Sequence, residues 1–550
     1  MFPTTFSMGL RPLLQAMLVL AAVAISTFII KWFKVRSMVR KLQKQGLPMP
    51  PHNFIFGHLG TAARAMAKLP LDCHPHYLPG QVMRAMPELG PIFYFDAWPM
   101  ADPMLFVASA AGAYQITQEH SLPKFRVMRD FIDPLAGEYN LVTMEGDMWK
   151  RWRSIFNPGF SSSHLMTLIR DILEDTLTFC GILRQHVQKD DMFSLEELTI
   201  SLTVDVIGRV TLDTRFNQQR SKHDMIEALR SQVRWLPART ILNPLSPVTV
   251  LRPLVYWYNT RRMNGFISRE LDTRLATHQN GHVVDKAKRS KSVIDLALQR
   301  YMAEKPADKA IKGMDAIFKT VAMCQIKLFV FAGHDTTAST ICWLYHLLSK
   351  NSPALSRLRA EHDSIFGTDL AQTASLIASN PHLLNQLPYT LAVIKETLRL
   401  YPPASSTRNG EPGFSFTDPS GRHFPTHGFL VWSVHQATHR EPSQWPQPDN
   451  FLPERWLVAP GDPLYPIKGP WRPFEFGPRN CIGQELALLE VRIVLALTVR
   501  EFDVRAAYEE WDRLKPGKGG RVNGERGYQV LMGSAHPQGG FPCRIKMAER

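Results

Sequence analysis

The sequence predicts a mainly α-helical body with small β-sheets, preceded by one N-terminal transmembrane helix. Three observations point there: an uncharged apolar run at residues 13–30, long stretches of helical periodicity, and short proline-rich pieces between them. The run reads LLQAMLVLAAVAISTFII. As a helix it would be about 27 Å long, enough for one crossing of a hydrocarbon core of ~30 Å. It ends in Phe28-Ile29-Ile30-Lys31-Trp32, a poor cleavage site and a good stop, which favours a retained anchor over a removed signal peptide. Lys31, Lys34, Arg36, Arg40, Lys41 and Lys44 follow without an acid among them, so the rest of the chain is expected on the cytosolic side. Gly46-Leu47-Pro48-Met49-Pro50-Pro51 then stops the helix and reads as a stiff hinge. The expected organisation is a short lumenal N-terminus at 1–12, an anchor at 13–30, a basic and proline-rich linker at 31–51, and one large body at 52–550.

Within that body, residues 191–210, 292–303 and 483–499 read as helices, and 315–350, apolar and free of proline, as one helix of about 54 Å. A length of 550 residues suggests several domains, but no repeat or flexible linker divides the chain. Hydrophobic residues at 45% against 21% charged exclude a mostly disordered chain. The net charge of +15 would suit a nucleic-acid binder, yet six of those cations sit beside the apolar run and read as a membrane topology signal. Six cysteines, none in a C-x-x-C pair, exclude a zinc ribbon or a thioredoxin-type clasp and fit free thiols in a reducing compartment.

The most informative decapeptide is Phe474-Glu475-Phe476-Gly477-Pro478-Arg479-Asn480-Cys481-Ile482-Gly483. Gly477 permits a tight turn, and Gly483 lets the next helix approach a flat cofactor. Arg479 can pair with a cofactor carboxylate, and Phe474 can shield a sulfur. A helix starting just beyond Cys481 favours its thiolate. A cysteine taken alone is ordinarily a buried free thiol. Five specified positions agree by chance about twice in ten thousand sequences of this length.

This segment resembles the haem-thiolate signature F-x-x-G-x-R-x-C-x-G of the cytochrome P450 superfamily, and other segments follow in that family's order. Ala332-Gly333-His334-Asp335-Thr336-Thr337 lies inside the long apolar helix, where a Gly and two Thr mark a place for a bend. The resemblance implies that Ala332 and Gly333 lie over the haem and that Asp335 and Thr336 are the acid–alcohol pair that delivers protons to bound dioxygen. It also implies that His334 is structural. Glu396-Thr397-Leu398-Arg399 puts an acid and a base on one helix face before Pro402-Pro403. Exposed, such a pair adds only a few tenths of a kcal/mol. The resemblance makes it the buried E-x-x-R, completed by Arg455 as a structural network, and places Arg408 at a haem propionate. Trp149 and Arg153 form W-x-x-x-R, two donors on one helix face; the pattern is as consistent with a solvated basic helix as with the propionate pair that the resemblance implies.

The implied protein is a cytochrome P450 fold carrying heme b on an axial thiolate from Cys481. Its activity would be insertion of one oxygen atom of O2 into a lipophilic small molecule. Nothing resembles a flavin or nicotinamide site: Gly517, Gly519 and Gly520 cluster without a strand-to-helix setting. Electrons would therefore come from NADPH-cytochrome P450 reductase, with cytochrome b5 as a second donor. Arg472 and Arg479 are candidate cations for an acidic partner face, with ordinary solvated surface charge the commoner reading of either. The substrate pocket is expected along 125–139, 216–257 and 404–407, with Phe331 facing it, and Trp235, Leu236, Leu251, Leu254 and Trp257 either meet the bilayer interface or pack in the core. The expected location is the endoplasmic reticulum membrane. The tail, with Glu509-Glu510-Trp511 and residues 535–544, is similar to those of filamentous-fungal members of secondary metabolism. Two alternatives stay open: a peroxide-rearranging haem-thiolate enzyme that needs no reductase, and a membrane-tethered haem sensor or carrier.

Overall fold

A computed structural model describes residues 10–236, 251–279, 291–304, 315–516 and 519–549. Residues 1–9, Gly517 and the 237–250 part of the expected pocket lie outside the described residues. Among the described residues the architecture is helical with four small sheets. Its axis is the helix Ala316–Lys350, capped by the Asp315 side chain, which accepts from Ile317 N at 2.8 Å. A helix apolar on every face belongs inside a core. This one is buried from Cys324 to Leu348 except at Ala332, Gly333 and Thr336. It packs on Leu195–Leu212, which begins later than the sequence suggests because Phe193 and Ser194 first pair with Pro542 and Cys543 as a strand. The expected helix at 292–303 appears as Val293–Ala303 behind a Ser292–Asp295 capping box, and that at 483–499 as Gln484–Thr498.

Four short strands form the largest sheet in the order Ile92–Phe95, Met104–Val107, Leu430–Ser433 and Ser406–Asn409. The first two are apolar throughout and buried at every position, as strands covered on both faces require. The last pairs antiparallel with the third, Arg408 opposite Val431, which fixes the position of the Arg408 side chain. A hairpin of Gln529–Met532 and Ser534–Pro537 lies against the central helix, where Ser339 Oγ donates to Ala535 O at 2.7 Å.

The N-terminal helix Leu10–Lys44 is long and apolar enough to cross a membrane, and the side chains described in its apolar half are exposed. The central helix also meets that length and composition, but it lies in the core. The basic stretch continues the first helix and docks on the body: Val39 and Leu42 join a core cluster with Leu47, and Tyr94 N donates to Pro48 O at 2.9 Å. Residues 46–51, expected as a hinge, are therefore tied to the sheet edge. Arg36 is fully buried, paired with Asp96 and donating to Trp98 O at 2.7 Å. It is a structural cation and not part of the surface charge. Leu251, Leu254 and Trp257 are exposed while Leu236 is buried, which splits the expected interfacial group in two.

Candidate haem site

In the central helix the three accessible residues recur at i, i+1 and i+4, one narrow face. Gly333 is needed there because a Cβ would come within 2.8 Å of Ile207 on the helix Leu195–Leu212. The helix runs unbroken through the Gly and Thr residues, with hydroxyls bonded to its carbonyls: Thr336 Oγ1 donates to Ala332 O at 2.9 Å, and Thr203 Oγ1 to His334 O at 3.1 Å. His334 is buried with Nδ1 2.5 Å from Val330 O. Asp335 and Thr336, adjacent in sequence, point to different sides. Thr336 is accessible, whereas Asp335 is buried with Oδ1 3.1 Å from His536 Nε2 and Oδ2 without a partner. The acid–alcohol pair therefore does not touch.

Cys481 is exposed, and the other five cysteines are buried. Its N–H donates to Phe474 O at 2.8 Å, closing a loop that turns at Gly477 with φ +87°. A Cβ on Gly477 would clash with Thr117 O, so Gly477→Ala combines a backbone conformation strained for L residues with a backbone collision. We expect about 2 kcal/mol or more of lost stability and reduced haem retention, read by denaturant titration and by haem content. Glu475, also at positive φ, is held there by Arg472 Nε at 2.7 Å and faces His435 at 3.3 Å. The thiol is accessible at its open side, but the protein packed around it keeps out enough water to raise it above the ordinary value, against the Gly483 N–H, the Arg153 charge and the Gln484 N–H, which all favour the thiolate.

Cations converge beside this loop. Arg153 donates through Nη1 to Asn480 O at 2.9 Å and through Nη2 to Asn480 Oδ1 at 3.0 Å. The Arg479 guanidinium stacks over Trp149 at 4.4 Å. It donates to Met144 O, Val142 O and Glu145 Oε2, the last at 2.9 Å. Arg408 is buried; Nη1 donates to Leu122 O at 2.9 Å, while Nε and Nη2 have no partner. Lys124, which the sequence reading missed, forms a β-bridge with Arg408; burial and the Arg408 and Arg479 charges push its ammonium down to about 7. Its N–H donates to Glu145 Oε1 at 2.8 Å. No spacing pattern could have revealed Lys124, because it meets this cluster only through tertiary packing. Burying several like charges around two carboxylates, with guanidinium N–H groups left unpaired, is costly unless further anions balance them. These residues fit a ligand that carries carboxylates and lies beside an accessible cysteine.

Glu396, Arg399 and Arg455 are fully buried and meet as expected. Arg399 donates to both Glu396 oxygens at 2.9 and 2.8 Å, and Arg455 Nε to Glu396 Oε1 at 3.0 Å. Trp456 Nε1 and Leu452 N complete the shell of the carboxylate, at 3.1 and 3.0 Å. The expected partner-facing role of Arg472 and Arg479 is corrected: Arg472 is buried on Glu475 and Thr117, and Arg479 is spent on Glu145 and carbonyls, so neither presents free charge to a partner.

Comparison with known proteins agrees with this geometry. A cytochrome P450 family model matches residues 61–532. The chain belongs to the cytochrome P450 family. It is 44% identical to the cytochrome P450 monooxygenase polC of Polytolypa hystricis, over 97% of this chain and 95% of that protein. It is 35% identical to the cytochrome P450 monooxygenase acrF of Aspergillus aculeatus, over 88% of this chain and 99% of that one. The crystal structure of the cytochrome P450DA heme domain superposes with a TM-score of 0.68 over 92% of this chain and 97% of that one; at 20% identity the likeness concerns the fold. Membership of this family implies a haem-thiolate cofactor, a redox partner and a lipophilic substrate, and makes the chain an oxidoreductase.

Proposed function

We propose that this cytochrome P450 is a membrane-anchored monooxygenase that uses Cys481 as its axial thiolate and inserts one oxygen atom of O2 into a lipophilic small molecule of fungal secondary metabolism. The observation that carries the reading is the pairing of one exposed cysteine with a buried Arg408 whose Nε and Nη2 lack partners. Lys124, Arg408, Arg153, Trp149 and Arg479 would surround the propionates. Phe474 and Gly483 would border the sulfur, and Ala332 and Gly333 the distal face. When bound, the haem-thiolate supplies the oxidising power for an unactivated C–H bond. Thr336 presents a hydroxyl on the accessible face, Asp335 is the acid in reserve behind it, and the Glu396–Arg399–Arg455 network keeps the loop and its helix in register. The substrate would pass between Phe331, the helix Arg126–Ala136 and residues 404–407. The exposed Leu251, Leu254 and Trp257 would rest at the bilayer interface with the anchor helix, in the endoplasmic reticulum membrane, with the body on the cytosolic side. NADPH-cytochrome P450 reductase supplies the electrons, with cytochrome b5 as a second donor.

Turnover with NADPH and reductase, and none with an organic hydroperoxide alone as rearrangement substrate, is the expected outcome; the reverse establishes the reductase-independent enzyme. Thr336→Ala removes the only hydroxyl on the accessible face of residues 324–348. It should raise the peroxide released per NADPH by about tenfold or more, a modest part of what a positioned proton donor contributes, as read by a peroxide assay beside NADPH consumption.

A further inference from the structure

The C-terminal hairpin reaches the acid of the distal site from behind. His536 lies beyond residues 61–532, where the family match ends, in the C-terminal tail. Its Nδ1 is 2.6 Å from Glu196 Oε1 on the helix Leu195–Leu212, and its Nε2 is 3.1 Å from Asp335 Oδ1 on the central helix. Nε2 is also 3.1 Å from Ser534 Oγ. All three ionisable side chains are buried. An imidazole with a carboxylate on each nitrogen can donate to both only when it carries two protons. The hairpin that holds it is fixed at two further points, by Ser339 Oγ on Ala535 O and by Ala535 N on Pro403 O at 2.9 Å.

We propose that His536 is a positioning residue for the monooxygenase reaction: bridging Glu196 to Asp335, it holds that carboxylate on the side of the central helix away from Thr336 and so controls when it enters proton delivery. This rests on the reading of Asp335 as the acid of the pair. Asp335 Oδ2, buried and unpartnered, is the oxygen left for that exchange, and turning it toward Thr336 requires release of Oδ1 from the imidazole.

Burial alone would lower the His536 pKa, but Asp335 and Glu196 reverse the sign and hold it well above the ordinary value. Burial would likewise raise Asp335, and the His536 charge turns it below the ordinary carboxylate range. The other groups that face the cluster are His74, ahead of the helix Tyr77–Ala85, and His334 on the central helix; Cys342 and Tyr508 face Glu196. A histidine whose folded pKa is raised contributes stability that is complete below its unfolded value of about 6.5 and disappears as pH rises through the folded value. The depressed Asp335 acts in the opposite sense, its contribution present above the unfolded value and lost as pH falls through the folded one.

The test uses the full-length holoprotein with reductase, as wild type, His536→Gln, Glu196→Gln and Asp335→Asn. Two quantities are followed from about pH 6, near the ordinary histidine value, up to about pH 9: the thermal midpoint, and the hydrogen peroxide formed per NADPH consumed. The expected result is a gap in thermal midpoint between wild type and His536→Gln that is largest near pH 6 and narrows with rising pH. The wild-type peroxide ratio should change at least about twofold over that range, while that of His536→Gln stays flat. Should His536→Gln fail to fold, Glu196→Gln carries the test: removing one of the two carboxylates should move the wild-type profile to lower pH. A pH-independent thermal gap, or a peroxide profile in His536→Gln or Glu196→Gln that matches wild type, overturns the proposal. If Asp335→Asn leaves the peroxide ratio at the wild-type level, it is the reading of Asp335 as the acid that fails, whatever His536→Gln shows.

Discussion

Arg399→Ala should cost this protein about 3–5 kcal/mol of stability and, with total domain stabilities of only about 5–15 kcal/mol, leave little folded holoprotein. The size follows from what remains behind. Arg399 supplies two donors to Glu396 and further donors to His439 O, Pro448 O and Asn450 O, at 2.7, 2.6 and 2.9 Å. Removing it takes the bidentate partner from a fully buried carboxylate, which keeps only Arg455 Nε, Trp456 Nε1 and Leu452 N, and takes a donor from three carbonyls; the unmade bonds cost more than the made ones contributed. Arg455 alone cannot compensate, since it already uses Pro446 O and one Glu396 oxygen. The network ties the helix Pro388–Leu400 to the turn Pro453–Trp456, so its loss loosens the segment that leads into the Cys481 loop. Denaturant titration of Arg399→Ala against Arg399→Lys measures it. Lysine should recover only part of the loss, because a point charge cannot reproduce the bidentate fork.

Cys481→Ala should abolish thiolate ligation and reduce monooxygenation to background. The Cys481 side chain is exposed and its removal opens no core cavity, so the apoprotein should keep its fold and secondary structure. That separates it from Arg399→Ala: one variant loses cofactor chemistry with the fold intact, the other loses the fold. Haem content measured beside circular dichroism distinguishes the two.

The sequence made legible what is local. The Cys481 loop, the acid and base of Glu396 and Arg399, the accessible face at Ala332 and the central helix all lie within one turn or one helix, where spacing and residue type carry the geometry. The boundaries of the central helix follow from Asp315 as cap and from the lack of proline within it. What pairs with these residues was not legible. Glu145 and Asn480 hold Arg479 and Arg153 across more than 300 residues of chain. His536 meets Glu196 at a separation of 340 residues, and Arg36 meets Asp96 at 60. Such contacts leave no periodic trace. Arg36 and Arg472 are indistinguishable in sequence from surface cations, yet each is buried against an acid that only the fold brings near. The acid–alcohol pair shows the same limit in reverse: adjacency suggested contact, and a rotation of about 100° per helical residue separates the two side chains.

The absorption spectrum of the reduced, carbon monoxide-bound full-length protein tests the central claim most directly. A Soret band shifted to the red position of thiolate-ligated haem, present in wild type and absent in Cys481→Ala, is the predicted result. A wild-type band at the unshifted position, or a red-shifted band that survives Cys481→Ala, would contradict it.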